Sequence, residues 1–374
     1  MKITFDIRTI AQGRHSGVEE YTLRILREFL KNKDDEFLLF YNAFLKSELP
    51  EDILKNTNLS LKDFNVPNKI LDAFLFFGQP KLDKLVGGAD IFFSPHFLAA
   101  PTSKNCKKVT TFHDLSFLHY PEFFSLRKKY WHFSQRPKKQ ARESDKIIAI
   151  SKSTKEDLVN FYKMPEEKIQ VVYSGVNDKM KPIEKDNELL KQIKEKYSLF
   201  DEFILYLGTI EPRKNIVGII KAFLGVREKK KIKLVLAGAF GWLYEDILKE
   251  AKNSKFKDDI IFLGFVDNKD KAGLYSLASV FVYPSFFEGF GFPPLEAMAC
   301  GTPVVTSNCS SLPEAVGEAA LMVDPFKPSE IAEALWLFLK DENLRNIYKK
   351  RGLERVKKFS WEKTGEKTLE AIKL

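Results

Sequence analysis

Glu288 and Glu296 stand eight positions apart in the run Glu288-Gly289-Phe290-Gly291-Phe292-Pro293-Pro294-Leu295-Glu296. The run reads as the end of a strand, a tight glycine turn and a short helix. Glycines at 289 and 291 permit positive φ and close approach of a ligand to backbone. Proline at 293 or 294 suits a first helical turn, and Gly301 suits its exit. Such a turn aims backbone N–H groups and the positive end of a helix at whatever binds there, a setting for phosphate or developing negative charge. One carboxylate precedes the loop and the other lies on the helix, so both can accept hydrogen bonds from a polyhydroxyl ligand. Each glutamate alone reads equally as a solvated acid on an ordinary strand–helix turn; the whole stretch is more specific.

A second group of charges lies in Leu207-Gly208-Thr209-Ile210-Glu211-Pro212-Arg213-Lys214-Asn215. Arg213 and Lys214 follow a strand and precede a helix, where two cations could neutralise a departing diphosphate. Adjacent Arg–Lys is also common on surfaces. His113-Asp114 follows the strand-like run 109–112, a position where a histidine is often structural. No Asp-x-Asp occurs in the chain, so a metal-bridged diphosphate is not expected, and the three cysteines at 106, 300 and 309 have no metal-ligand spacing.

The elements that must hold these residues follow an α/β pattern. Strands are predicted near 2–7, 36–41, 90–93, 107–112, 146–150 and 169–172, with helices near 17–31, 125–143 and 153–162 among them. Further strands are predicted near 203–207, 232–237, 259–263, 279–283, 303–306 and 319–323. Over 374 residues this gives two Rossmann-like domains with parallel sheets. The expected division is into residues 1–178 and 179–357. A C-terminal helix over 358–374, with Ser360 as N-cap, is expected to return to the first domain. Ligands of such sheets bind at the carboxyl ends of the strands, here in a central cleft.

The composition, 44% hydrophobic and 30% charged, is globular, and no apolar run approaches the roughly 18 residues of a membrane span. Met1 leads directly into a strand pattern without signal-peptide character, and sparse, odd cysteines fit reduced thiols; a cytoplasmic setting is expected. The net charge of +9 is concentrated over 104–146, which holds eleven Lys or Arg against four Asp or Glu. Within it, 123–142 has seven basic residues and no acid, interleaved with Phe124, Tyr130, Trp131 and Phe133. This stretch could rest on an anionic membrane surface, or be a solvated helix face whose aromatics point into the core. No nucleic-acid motif accompanies the charge.

The wording of the 288–305 stretch, with Ala297-Met298-Ala299-Cys300-Gly301-Thr302-Pro303-Val304-Val305 after Glu296, resembles the signature of retaining glycosyltransferase family 4, which has the GT-B fold. The resemblance implies that Glu288 contacts the transferred sugar, that Glu296 binds the ribose, and that the amides around Phe290 and Gly291 hold donor oxygens, with Leu295 beside them. It implies diphosphate binding by Lys214. Thr209 stands where many family members have an arginine, and Arg213 is the substitute. His113 would line the donor-sugar pocket without being the base. The loop from Gly13 to Gly17 resembles the family's first glycine loop, with Gly17 as the match; Ser16 stands where a double glycine is usual. The nucleotide base would sit against backbone near Phe265.

Phe112 to Phe117, Gly208 to Asn215 and Gly238-Ala239-Phe240-Gly241-Trp242 are most similar to mannosyltransferases of bacterial surface-polysaccharide assembly. The implied substrates are GDP-mannose, or alternatively a UDP-sugar, and a glycan or lipid-linked glycan acceptor, with no separate cofactor. A sugar-nucleotide epimerase and a non-catalytic nucleotide-sugar-binding protein are the other readings.

Overall fold

Runs such as Phe203-Ile204-Leu205-Tyr206-Leu207 are apolar at every position, as strands covered on both faces by helices require. The computed structural model describes residues 1–10, 17–43, 49–184 and 187–373. It forms two compact units, each around one parallel sheet. The first comprises Met1–His119, Leu126–Gly175 and Ser360–Leu374; the second comprises Tyr120–Ser125 and Val176–Phe359.

The first sheet contains β1 (Lys2–Asp6), β2 (Glu36–Asn42), β3 (Leu59–Phe64), β4 (Ile91–Ser94), β5 (Lys107–Phe112), β6 (Lys146–Ala149) and β7 (Ile169–Val171) in the order β3-β2-β1-β4-β5-β6-β7. The second contains β8 (Phe203–Leu207), β9 (Lys233–Ala237), β10 (Ile260–Gly264), β11 (Val280–Tyr283), β12 (Val304–Ser307) and β13 (Leu321–Val323) in the order β10-β9-β8-β11-β12-β13. All pairings are parallel. In each sheet the order reverses beside the first strand, between β1 and β4 and between β8 and β11. Those reversals are the two places where loops diverge and leave a crevice at the strands' carboxyl ends.

Two features depart from the sequence expectations. β3 is an added edge strand; its residues Leu61, Lys62 and Asp63 are exposed, so it lacks the apolar run of a central strand. The basic helix expected over 125–143 is two helices, Leu126–Gln135 and Pro137–Glu143. Arg136 between them is left-handed at φ 51°, because Pro137 disfavours the helical conformation in the residue before it.

The helix Trp361–Lys373 packs in the first unit. Ser360 Oγ accepts the Lys363 N–H at 3.3 Å, the N-cap geometry expected of it. Thr364 donates its hydroxyl to Tyr173 O at 2.9 Å, and Lys373 pairs with Asp35 at 2.7 Å. The approach is so close that a Cβ on Gly175 would lie 2.2 Å from Trp361 N and 2.6 Å from Ser360 C. Both neighbours are backbone and cannot swing away. Gly175→Ala should therefore destabilise the first unit by about 1–3 kcal/mol, the cost of overpacking, read as a lower unfolding midpoint in denaturant with an unchanged slope.

Candidate active site

The charges singled out at 213, 214 and 288 converge at the carboxyl ends of β8 and β11, the order reversal of the second sheet. Pro212–Lys214 forms one 3-10 turn after β8. Asn215 follows it in the left-handed region at φ 57° and caps the helix Ile216–Arg227 by accepting the Gly218 N–H. Its amide also donates to Pro284 O at 3.1 Å and Pro325 O at 2.7 Å, tying the β8 turn to the loop after β11. Lys214 is thereby buried with its Nζ 2.6 Å from Glu288 Oε1 and 2.8 Å from the Tyr283 hydroxyl. Arg213 donates to Phe287 O at 2.7 Å, Glu288 Oε2 at 3.3 Å and Glu211 Oε1 at 2.8 Å.

The electrostatics follow from burial and pairing. Burial alone would push the Glu288 carboxyl up, but Lys214 and Arg213 outweigh it and hold the carboxyl below its ordinary range. Burial, with Arg213 alongside, pulls the Lys214 ammonium below its usual value, while Glu288 and Glu211 oppose that pull. Glu288 is thus a carboxylate at neutral pH, able to accept hydrogen bonds and to face positive charge but not to donate a proton.

The backbone around it is fixed as tightly. The Glu288 N–H donates to Ser310 Oγ at 3.0 Å, and Ser311 Oγ lies 2.8 Å from Glu288 O and 2.9 Å from Phe290 O. Gly291 precedes the helix Phe292–Ala299 at φ 121°; a Cβ there would also meet Leu312 Cδ2 at 3.1 Å. Pro293 and Pro294 carry no N–H, and the Leu295 N–H returns to Gly291 O at 3.3 Å. Amide donors at this helix start are therefore confined to the residues just before the prolines.

The other expected site residues fall as follows. Glu296 is buried on that helix and accepts the Tyr275 hydroxyl at 3.0 Å. Leu295 is wholly buried and Phe290 packs its ring between Phe292 and Phe359, so either can meet a ligand only through backbone. Thr209 is exposed at the end of β8, and Phe265 is exposed just past β10. In the first unit, His113 follows β5 and donates its Nε2–H to Pro95 O at 2.8 Å. Burial lowers its pKa, with Pro95 and Asp114 opposing, so the ring is neutral at neutral pH with Nδ1 as its acceptor. Tyr21, on the helix Gly17–Leu30, sets its ring edge against His113 at 4.8 Å. Gly17 begins that helix; residues 13–16 of the first loop lie outside the described residues. Glu211, Tyr283, Tyr275, Ser310 and Ser311 were not singled out from sequence. Of these only Glu211, two residues before Arg213, was within reach of a local argument.

Two parallel sheets of matching order, with a cation–carboxylate cluster at one reversal, are the architecture of a GT-B glycosyltransferase. The Glycosyltransferase Family 4 description matches residues 15–179 and Glycosyl transferases group 1 matches residues 191–355. The chain is 34% identical to the O-antigen chain mannosyltransferase B of Escherichia coli, over the full length of both. Its fold superposes on sucrose-phosphate synthase from Thermosynechococcus elongatus with a TM-score of 0.79 at 20% identity, covering 99% of this chain and 98% of that one. It also superposes on Anabaena HepE, solved in complex with UDP and glucose, with a TM-score of 0.75 at 18% identity, covering 100% and 99%. The chain belongs to glycosyltransferase family 4.

The depressed Glu288 carboxyl sets a pH prediction. A group whose folded pKa lies below its unfolded one stabilises above the unfolded value, and that contribution is lost as pH falls through the folded value. Glu288→Gln should therefore cost about 3 kcal/mol near neutrality, as for a buried pair stripped of one partner. The difference in Tm from wild type should shrink as pH drops below the ordinary glutamate range. A pH-independent difference would contradict the ion pairing.

Proposed function

We propose that the enzyme transfers mannose from GDP-mannose, with retention of configuration and without a metal, to a hydroxyl of a glycan or lipid-linked glycan. The Lys214–Glu288 pair at the carboxyl end of the second sheet is the observation that carries this reading. The full-length likeness to a mannosyltransferase of O-antigen synthesis supports the sugar and the class of acceptor. We place the reaction in the cytoplasm, at the inner face of the membrane.

In this mechanism the bond between C1 and the phosphate oxygen breaks and its electron pair stays with the diphosphate. Lys214 and Arg213 stabilise the charge that gathers there, assisted by the amides at the start of Phe292–Ala299. The acceptor oxygen bonds to C1 on the same face, and its proton passes to the departing phosphate oxygen. No protein nucleophile takes part. Ionised Glu288 accepts from the sugar's hydroxyls and faces the positive character developing at the ring. Glu296, oriented by Tyr275, accepts from the ribose; within the first unit, neutral His113 keeps Nδ1 as an acceptor for a hydroxyl.

A thermal-shift panel of GDP- and UDP-sugars tests the donor. Ligands that bind the folded state raise Tm with concentration over affinity, so GDP-mannose should give the largest shift; a larger shift with a UDP-sugar would reassign the base. Lys214→Ala, purified and folded, should lose on the order of 100-fold in kcat, the scale of one electrostatic donor. Near-normal turnover would remove the diphosphate role. The anomeric configuration of the product, read by proton NMR against that of the donor, decides retention.

A further inference from the structure

The first unit carries an apolar surface that nothing in the transfer chemistry uses. On the helix Asn68–Phe76, Leu71 and Leu75 face the core. The opposite stripe exposes Ile70 and Phe74 and continues to Phe77, which is 82% exposed. On the helix Leu126–Gln135, Leu126, Tyr130 and Phe133 recur at helical spacing on the outer face, 83%, 71% and 69% exposed. Leu126, Phe77, Tyr130 and Phe133 are the four most exposed large apolar side chains among the described residues.

The two helices meet at Phe76, a half-buried ring 5.5 Å from that of Phe77. The Phe76 and Phe133 rings are 6.3 Å apart, the Arg136 guanidinium lies 4.7 Å from the Phe76 ring centre, and Arg136 donates to Phe76 O at 3.0 Å. The aromatics of the basic stretch thus divide: Phe124 is buried and Trp131 half-buried, whereas Tyr130 and Phe133 point outward.

Cations rim this surface. Arg127, Lys129 and Lys138 are exposed beside it, and no Asp or Glu occurs from 123 to 142. A pocket of about 480 Å³ opens next to Phe133, lined by Phe117, Arg136, Lys138, Lys139 and Arg142 among others; Lys139 also reaches Glu143 at 3.5 Å. Rings and aliphatic groups at the centre with lysine and arginine at the rim match an interface of acyl chains and anionic headgroups. There apolar side chains enter the headgroup boundary while long cationic stems reach phosphates.

We propose that the helices Asn68–Phe76 and Leu126–Gln135 together form a docking face for an anionic lipid bilayer, with the exposed Arg127, Lys129 and Lys138 meeting headgroup phosphates. This extends, and rests on, the membrane-side placement proposed above, and adds a surface to which the 68–77 segment contributes half of the apolar contact.

Vesicle co-sedimentation tests it, with vesicles of phosphatidylcholine alone and of phosphatidylcholine mixed with phosphatidylglycerol. Wild-type protein should sediment with the mixed vesicles, less so as salt rises, and stay in solution with the neutral ones. The triple charge reversal Arg127→Glu, Lys129→Glu, Lys138→Glu should lower partitioning on the order of 100-fold. Phe77→Ser, Leu126→Ser, Phe133→Ser should weaken it at every salt concentration. Unfolding midpoints matching wild type confirm that both variants fold, and should the apolar triple fail to fold, the charge reversal still decides the matter.

Equal behaviour toward the two vesicle types, or variants that bind as wild type does, would overturn the proposal. So would a wild-type dimer that the apolar variant turns into a monomer, because a second copy would then cover the face. Slow hydrolysis of the donor, which needs neither membrane nor acceptor, should persist in both variants. Its absence in wild type would count against the transfer reading and leave the vesicle result standing.

Discussion

The ammonium of Lys214, buried 2.6 Å from the carboxylate of Glu288, is the constraint around which the second unit's loops are arranged. Removing two such ions from water costs several kcal/mol each. At an effective dielectric of about 20, a unit pair roughly 3 Å apart returns about 5–6 kcal/mol, so the pair alone comes close to breaking even. The surroundings tip it. Tyr283 accepts from Lys214, Arg213 bridges Glu288 to Glu211, and Ser310 and Ser311 hold the carboxylate's own backbone. Asn215 completes the frame by joining the β8 turn to the loops at Pro284 and Pro325. A leucine–leucine contact would have packed this corner with less risk. An ion pair here is best explained by what it does for a charged ligand.

A helix start is the usual donor set for a phosphate, but Pro293 and Pro294 remove two of its amides and Leu295 spends a third on Gly291. In the proposed reaction side-chain cations would carry more of the anion's charge, and two stand at Arg213 and Lys214. Two cations and two carboxylates also leave the cluster near neutrality before any ligand arrives, which keeps a buried corner tolerable. The positions of the charges are set by folding and need little rearrangement when negative charge grows on a leaving group, the condition under which electrostatic stabilisation is strongest.

Much of this was legible in the chain itself. Central strands bury both faces, so β8 and β11 announce themselves as unbroken apolar runs, and the 288–296 wording carries its own turn chemistry. β3 did not, because an edge strand with Lys62 and Asp63 facing water has no such signature. The break at Arg136 is readable in the chain from Pro137, which disfavours a helical residue before it. The partners of the charged residues were hidden for a different reason. Tyr283 pairs with a lysine 69 positions earlier, and Ser310 with a glutamate 22 positions earlier. Such pairings come from strand order, which local periodicity does not encode. The outward turn of Phe77 was hidden likewise, while for Tyr130 and Phe133 the basic stretch left an outward and an inward reading both open.

The two units also show why the site cannot be read from topology alone. Both sheets reverse order beside their first strand, and each reversal holds a buried Arg or Lys next to a carboxylate. In the first unit the pair is Asp6–Arg8, closed on itself at 2.9 and 2.6 Å, with Arg8 further anchored to Ala99 O. The titratable rings at the neighbouring strand ends, His96 and His113, have pKa values lowered by burial and are uncharged at neutral pH. That reversal holds one cation on one carboxylate. The second reversal brings two cations onto one carboxylate, Glu288, with Glu211 behind them. The two reversals differ in how many cations gather on one carboxylate, not in net charge. One folding pattern, used twice, thus carries two different charge clusters through the identity of a few residues at the strand ends.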